Sequence, residues 1–312
     1  MRDFKKGERV GSFAIERKIS DHGGMSSIYE GSVIDREYPE RHGVRVALKF
    51  ARMNEDNARI YEQLLIRETD MLHDLRHPGI VRLCPISIYG KRLFFARAAE
   101  LDDDAPWYYA MEFLSGGTLT ENHDLFRFSQ AWRIELLYQI AVILDYLHIR
   151  ELGHRDLKPE NIMFRERPSQ KTLPIPVLID FGLAEKRRLN PEISAATIGY
   201  AAPERIRHIF DFDPGSSPPD ALLDHLTGDI WALGIIAYEL LAGQYPFGEE
   251  KQRTALAHKI VHQIPAPMPQ DVPANLQRLI LDMLSKEPEQ RPGIETVLRR
   301  IETEIEIISP RI

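Results

Sequence analysis

His154 Arg155 Asp156 Leu157 Lys158 Pro159 Glu160 Asn161, followed by Asp180 Phe181 Gly182, is the most informative stretch of this 312-residue chain. Within it stand a carboxylate (Asp156), an ammonium two positions on (Lys158), a carboxamide (Asn161) and a second carboxylate (Asp180). A solvated turn can hold such residue types by accident. Eight of them in this order, with Asp-Phe-Gly behind, cannot be read that way.

On either side the pattern of apolar residues changes character. Residues 12–50 read as a three-stranded meander: Phe13 and Ile15 alternate with polar neighbours, Ser26–Val33 follows a glycine pair, and Val44–Phe50 is an apolar run that carries Lys49 near its end. Asp35–Gly43 reads as the hairpin loop between the second and third strands. Ile60, Leu64, Leu65, Leu72 and Leu75 then mark a helix over 55–75 that stops before His77 Pro78 Gly79. Two further extended runs, near 80–88 and 107–113, flank an acidic tip at Glu100–Asp104. Together these make five strands and one helix before Ser115 Gly116 Gly117. Beyond that glycine pair the chain is mostly helical: Leu137, Ile140, Leu144 and Leu147 form one stripe within 129–149, and Ile230–Leu241 is apolar enough for a buried helix. Turn-forming residues place loops at 165–176, 211–220 and 264–273. No internal repeat is visible.

Hydrophobic residues at 43% and charged residues at 28% describe an ordinary globular protein, and 40 basic against 47 acidic side chains leave a net charge of −7. With no sustained basic run, nucleic acid is excluded as a partner class. Cys84 is the single cysteine, which rules out an intrachain disulfide and a cysteine-based zinc site and suits a reducing compartment. No apolar run reaches the ~18 residues of a membrane span, and the first residues lack the apolar segment of a secretory signal. A cytoplasmic chain is therefore expected, or the cytosolic part of a longer protein.

The stretch 154–161 with 180–182 resembles the catalytic and metal-binding loops of eukaryotic-type protein serine/threonine kinases. The likeness runs in the correct order over about residues 10–305. Val46 Ala47 Leu48 Lys49 is similar to that family's strand lysine motif. Thr197–Glu204 resembles the end of its activation segment, and Asp229–Gly234 the start of its buried helix. Lys158 Pro159 Glu160 looks like the serine/threonine branch, and the Gly23 Gly24 Met25 Ser26 segment resembles bacterial members. The resemblance implies an α+β, bilobal protein kinase fold. Its small lobe (1–114) would be a five-stranded antiparallel sheet with one main helix that binds nucleotide, and its larger lobe (115–312) mainly α-helical, for catalysis and substrate binding.

The same resemblance implies the site. Asp156 would orient or accept the proton of the attacking hydroxyl, Lys158 would steady the transferring phosphoryl group, and Asn161 and Asp180 would hold Mg²⁺, with Mn²⁺ as a substitute. Lys49 would bridge the ATP phosphates and pair with Glu68, nine residues before His77, with Glu62 as runner-up. Alone, Lys49 would pass for a lysine snorkelling from a strand. At ~4 Å and an effective dielectric of ~20 such a pair is worth roughly 4 kcal/mol before desolvation, enough to orient the lysine.

Ile19, Gly23 and Gly24 belong to the phosphate-covering loop, where Asp21 and Ser26 replace two of the family's three glycines; by itself this segment reads as a hairpin turn. Met111 is the implied gatekeeper, Glu112 and Leu114 the hinge, and Ile28, Ala47 and Met163 the apolar sandwich around adenine. His154, Phe181 and Leu72 are the implied spine of stacked side chains. Glu204 is expected to pair with Arg291, and Asp229 to brace the catalytic loop.

Between Asp180 and Glu204 the hydroxyl residues are Ser194, Thr197 and Tyr200. Ser194 is the expected regulatory phosphosite, pairing with Arg155, and Thr197 is expected to line the acceptor-peptide pocket. The activity implied is ATP-dependent phosphorylation of protein serine or threonine, including the chain itself through a transient dimer. Two rivals differ in class. A pseudokinase scaffold draws on the departures at Asp21 and Ser26. A small-molecule phosphotransferase is disfavoured by the Ala202 Pro203 Glu204 platform.

Overall fold

The computed structural model describes residues 3–20, 26–34, 39–52, 58–88, 91–99, 105–127, 129–169, 171–182, 195–210 and 221–308. The chain divides into two compact units, Met1–Leu114 with Asp180–Gly182, and Ser115–Ile179 with Leu183–Ile312.

The first unit is built on antiparallel strands β1 (Arg9–Val10), β2 (Phe13–Ser20), β3 (Ser26–Val33) and β4 (Arg45–Ala51), helix α1 (Ala58–Asp74), and strands β5 (Leu83–Cys84), β6 (Ile86–Ile88), β7 (Lys91–Leu93), β8 (Phe95–Arg97) and β9 (Trp107–Glu112). Its main sheet runs β1-β2-β3-β4-β9-β5 with β8 also on β9, while β6 and β7 form a separate hairpin. The main sheet thus has seven strands where five were expected. All five extended runs are present. The additions are two- or three-residue strands, too short to show an alternating pattern, and the run 80–88 is broken at Pro85, which has no N–H to give a ladder.

Strand periodicity sorts β4 between two faces. Leu48 and Phe50 join Val10, Phe13, Ile15, Tyr29, Tyr108 and Ala110 in one buried cluster. Ala47 and Lys49 point the other way, paired in register with Met111 and Tyr109 on β9, and Lys49 also with Ile28 on β3. Helix α1 packs against β4 and β9. Its buried positions Leu65, Glu68, Thr69 and Leu72 follow the three-and-four spacing of one helical face, whereas Ile60 is 55% exposed. A carboxylate in that stripe needs a partner, and Lys49 supplies it.

The second unit contains α2 (His123–Phe126), α3 (Gln130–His148), the hairpin β10 (Ile162–Phe164) with β11 (Pro176–Leu178), then α4 (Pro203–Phe210), α5 (Ala221–Ala242), α6 (Arg253–His262), α7 (Ala274–Met283) and α8 (Ile294–Ile308). Ser129 caps α3 by accepting from the Trp132 N–H at 3.3 Å. Ile134, Leu137, Ile140, Ala141 and Leu144 of α3 and Ile230, Trp231, Leu233 and Ile236 of α5 are buried. The glycine pair after Leu114 has a steric reason. A Cβ on Gly116 would lie 2.4 Å from the Glu166 carbonyl oxygen, and Gly117 has φ +77°.

Glu204 on α4 is gripped by Arg291 through two hydrogen bonds of 2.7 and 2.6 Å, the pairing that the resemblance implied. Both residues are buried, so the fork fixes position more than it adds net stability. Among the described residues no helix is long and apolar enough to cross a membrane. The acidic tip at 100–104 and the insertion at 211–220 lie outside the described residues.

Candidate active site

In the first unit, Lys49 is the centre of a buried ionic cluster. Its Nζ donates to both Glu68 oxygens at 2.9 and 2.7 Å and to Asp180 Oδ1 at 2.8 Å. The Phe181 N–H adds a bond of 3.0 Å to Glu68 Oε1, so the Asp-Phe-Gly motif and the helix carboxylate are tied directly. Burial opposes charge here and pushes the Glu68 carboxyl up. For Lys49, burial acts to lower the pKa, but Asp180 and Glu68 outweigh it and hold the ammonium well above its ordinary range. The result is a fixed cation beside a carboxylate.

Tyr109, which sequence reasoning did not single out, completes this cluster. Lys49 Nζ lies 5.9 Å from its ring centroid, and burial together with neighbouring Glu68 raises its phenol well above the usual value. Only its pairing opposite Lys49 across β4 and β9 marks it. Sequence spacing does not reveal that neighbour.

Of the expected adenine-pocket residues, Ile28, Ala47 and Met111 share the Lys49 face by register, and Leu114 is buried just beyond β9. Ile19 on β2 is 42% exposed. The Glu112 side chain is engaged by Arg82, whose guanidinium approaches Oε2 at 2.9 Å, and the Glu112 N–H is committed to the Arg82 carbonyl at 2.9 Å. The Glu112 N–H is thus satisfied by the segment leading into β5. Gly23, Gly24, Asp21 and Ser194 lie outside the described residues. Thr197 falls in a short 3-10 turn, Ala195–Tyr200.

In the second unit, the catalytic-loop residues gather around one carboxylate. Asp156 Oδ2 accepts from Lys158 Nζ at 2.6 Å and from Asn161 Nδ2 at 3.0 Å. Its Oδ1 is buried and accepts no hydrogen bond among the described residues. Asn161 Nδ2 also donates to the Asp156 carbonyl at 2.8 Å, which assigns the amide orientation and presents its carbonyl oxygen elsewhere. Met163, the expected lower half of the adenine sandwich, sits on β10 and pairs with Thr118.

The loop is held in a strained shape from below. Arg155 has φ 67°, a left-handed conformation costly for a residue with a side chain. Asp229 on α5 offsets that cost by accepting the N–H groups of His154 at 2.7 Å and Arg155 at 2.9 Å, and His148 Nε2 lies 3.2 Å from its other contact, Oδ2. Burial resists ionisation of Asp229, but the hydrogen bond and charge from His148 prevail and keep its carboxyl below the ordinary value. His154 is threaded between two backbone groups, with the Asp156 N–H 3.4 Å from Nδ1 and the Ile179 carbonyl 3.1 Å from Nε2, so Nε2 carries the proton. Asp180 likewise has φ 62°. Two of the three described non-glycine residues with positive φ are therefore motif residues.

Beside this loop lies a cavity of about 390 Å³ walled by Glu160, Tyr200, Glu239 and Tyr245. Tyr200 donates to Glu239 Oε2 at 2.8 Å, and the Tyr245 hydroxyl donates to the Gly199 carbonyl at 2.6 Å. Burial pushes the Glu239 carboxyl up to about 7; the Tyr200 bond opposes the shift and Glu160 adds to it. Glu239 was not legible as a site residue, because it sits inside an apolar helical run and its partner lies on a distant segment.

Asp180 and Asn161 are oxygen donors of the kind a hard divalent cation prefers. The chemistry of the donor set therefore fits Mg²⁺. Among the described residues no group of three or more His, Cys, Asp or Glu side chains is arranged to hold a metal ion.

Comparison with known proteins agrees with these arrangements. The model of the protein kinase domain family matches residues 23–300. A calcium/calmodulin-dependent protein kinase of Metarhizium anisopliae is 31% identical over 257 residues, covering 79% of this chain and 58% of the relative. The human serine/threonine-protein kinase ULK1 is 28% identical over 296 residues, covering 91% of this chain and 25% of the relative. An Aurora kinase of Schizosaccharomyces pombe is 29% identical over 262 residues, 83% of this chain and 64% of the relative. The chain thus spans less than two thirds of the length of each of these relatives. Because the family match takes in nearly the whole chain, this chain belongs to the protein kinase family, of the eukaryotic serine/threonine type, with the bilobal fold that the family shares.

Proposed function

We propose that this chain is a catalytically active protein serine/threonine kinase that transfers the γ-phosphoryl group of Mg·ATP to hydroxyls of protein substrates, itself among them. The observation that carries the proposal is the state of Asp156. Lys158 and Asn161 occupy one carboxylate oxygen and leave the other buried and accepting nothing among the described residues. A buried acceptor left in that way is costly unless a substrate hydroxyl uses it.

The remaining roles are those that the family resemblance implies. Lys49, held protonated and aimed by Glu68, binds phosphate oxygens. Asp180 and Asn161 present oxygen to the magnesium ion, which when bound neutralises the phosphates and draws charge from the transferring group. Lys158 steadies the equatorial oxygens of that group. Ile28, Ala47, Met111 and Met163 provide apolar contact for adenine, with Ile19, Glu112 and Leu114 at its edges and Gly23 and Gly24 over the phosphates. Ser194 is the proposed regulatory phosphosite, met by Arg155, and Thr197 the proposed lining of the acceptor pocket. A scaffold without catalytic demand has no need of a complete Lys49, Glu68, Asp156, Asn161 and Asp180 set.

The test is transfer of labelled phosphate from γ-labelled ATP to the chain and to a generic basic protein, with and without a chelator, followed by phosphoamino-acid analysis. Magnesium-dependent phosphoserine and phosphothreonine are expected. Nucleotide binding without any transfer would favour the scaffold, and phosphotyrosine alone would overturn the assigned acceptor.

A further inference from the structure

The first unit carries a feature that the kinase motifs do not use. Before β1 the chain turns at Lys5–Glu8, where Gly7 has φ +80° and its N–H donates to the Ile15 carbonyl at 2.7 Å. Residues Asp3 and Phe4 then lie over the face of the main sheet opposite Lys49. Phe4 packs edge-on against Tyr29, with ring centroids 5.5 Å apart, and tilted against Phe50 at 4.5 Å. Asp3 Oδ1 accepts from Lys18 Nζ at 2.5 Å and from the Tyr29 hydroxyl at 3.1 Å.

The places these contacts reach are specific. Lys18 and Tyr29 are register partners near the end of the β2–β3 hairpin, directly before residues 21–25 with their glycine pair. One position from Tyr29 is Ile28, paired with Lys49; one position from Phe50 is Lys49 itself. Successive strand residues point to opposite faces, so fixing Tyr29 and Phe50 from behind fixes Ile28 and Lys49 in front. The β2–β3 ladder also shifts register twice, between Ile15 and Arg17 and between Lys18 and Ser20, so Lys18 stands between two irregularities where an external hold adds to the ladder.

We propose that Asp3 and Phe4 are positioning residues for the nucleotide: they clamp the β2–β3 hairpin from its far face and so set the position of Ile28 and Lys49 toward bound ATP. The proposal rests on the kinase reading above. Phe4 carries most of the hold, since its ring is half-buried between two aromatic partners, whereas the Asp3 side chain is 70% exposed and an exposed ion pair contributes little.

The experiment compares the wild-type chain with Phe4→Ala, Asp3→Asn and the conservative Phe4→Leu in steady-state kinetics and amide hydrogen exchange. Phe4→Ala should raise KM for ATP by about threefold to tenfold with kcat nearly unchanged. It should speed exchange in residues 13–33 while α3 and α5 stay protected, with Phe4→Leu recovering most of both effects. Asp3→Asn should show the same changes to a smaller degree. An unchanged KM, or a loss confined to kcat, overturns the positioning role, and exchange that rises equally throughout the chain would mean general destabilisation instead. A wild-type chain that binds no nucleotide would overturn the kinase reading and the effect on ATP together, while the exchange comparison still reads the clamp.

Discussion

At the scale of single residues, the chemistry rests on how burial and hydrogen bonding set the ionic state of a few groups. Lys49 is buried yet charged because two carboxylates meet it within 3 Å. Glu239 shows the opposite outcome. Its carboxyl is partly buried, accepts from the Tyr200 hydroxyl, and is pushed up to about 7 from an ordinary 4.5. Between these two values the unfolded chain gives up a proton that the folded chain keeps, so the folded state binds more protons and stability must fall as pH rises through that window. The decline should amount to roughly 2–3 kcal/mol and level off above the folded-state value. Denaturant melts of wild type and Glu239→Gln across this range check it: the variant should lose this component of the slope, and identical slopes would contradict the assignment. Lys49, Asp156, Asn161 and Asp180 were singled out in the sequence by resemblance to the family's motifs. Tyr109 and Glu239 were not, because their partners are neighbours only in the folded chain.

At the scale of elements, the loop 154–161 is a strained segment on a buried support. The Asp229 carboxylate at the middle of α5 receives two backbone N–H groups and His148, and so holds Arg155 in its left-handed conformation. Asp229→Ala removes all three acceptor contacts and leaves buried donors unsatisfied, which should cost about 3–5 kcal/mol. Activity and thermal stability should fall together. A variant that stays as stable as wild type while losing activity would show that Asp229 acts in chemistry rather than as a brace. Longer elements were legible from sequence: β2, α1 and α3 by their periodicity, β4 and the second half of α5 as apolar runs, and β3 by the glycine pair before it. What escaped were β1, β7 and β8, two or three residues each, and the β6–β7 hairpin. β1 and β8 lie on the ladder edges of the longer β2 and β9, and β6 and β7 pair with each other, so no local pattern betrays them.

At the scale of the whole molecule, family membership is what carries the proposed activity. The match over residues 23–300 establishes the kinase family. Lys49, Glu68 and Asp180 form one polar cluster in the first unit, and Asp156, Lys158 and Asn161 form another in the second. The most direct test is single-turnover transfer from Mg·ATP by purified wild type, Asp156→Asn and Lys49→Met, each shown to be folded by its melting transition. The account predicts measurable transfer by wild type, a loss of about 10²- to 10⁴-fold for Asp156→Asn and comparable or greater loss for Lys49→Met. Equal transfer by all three proteins would contradict it.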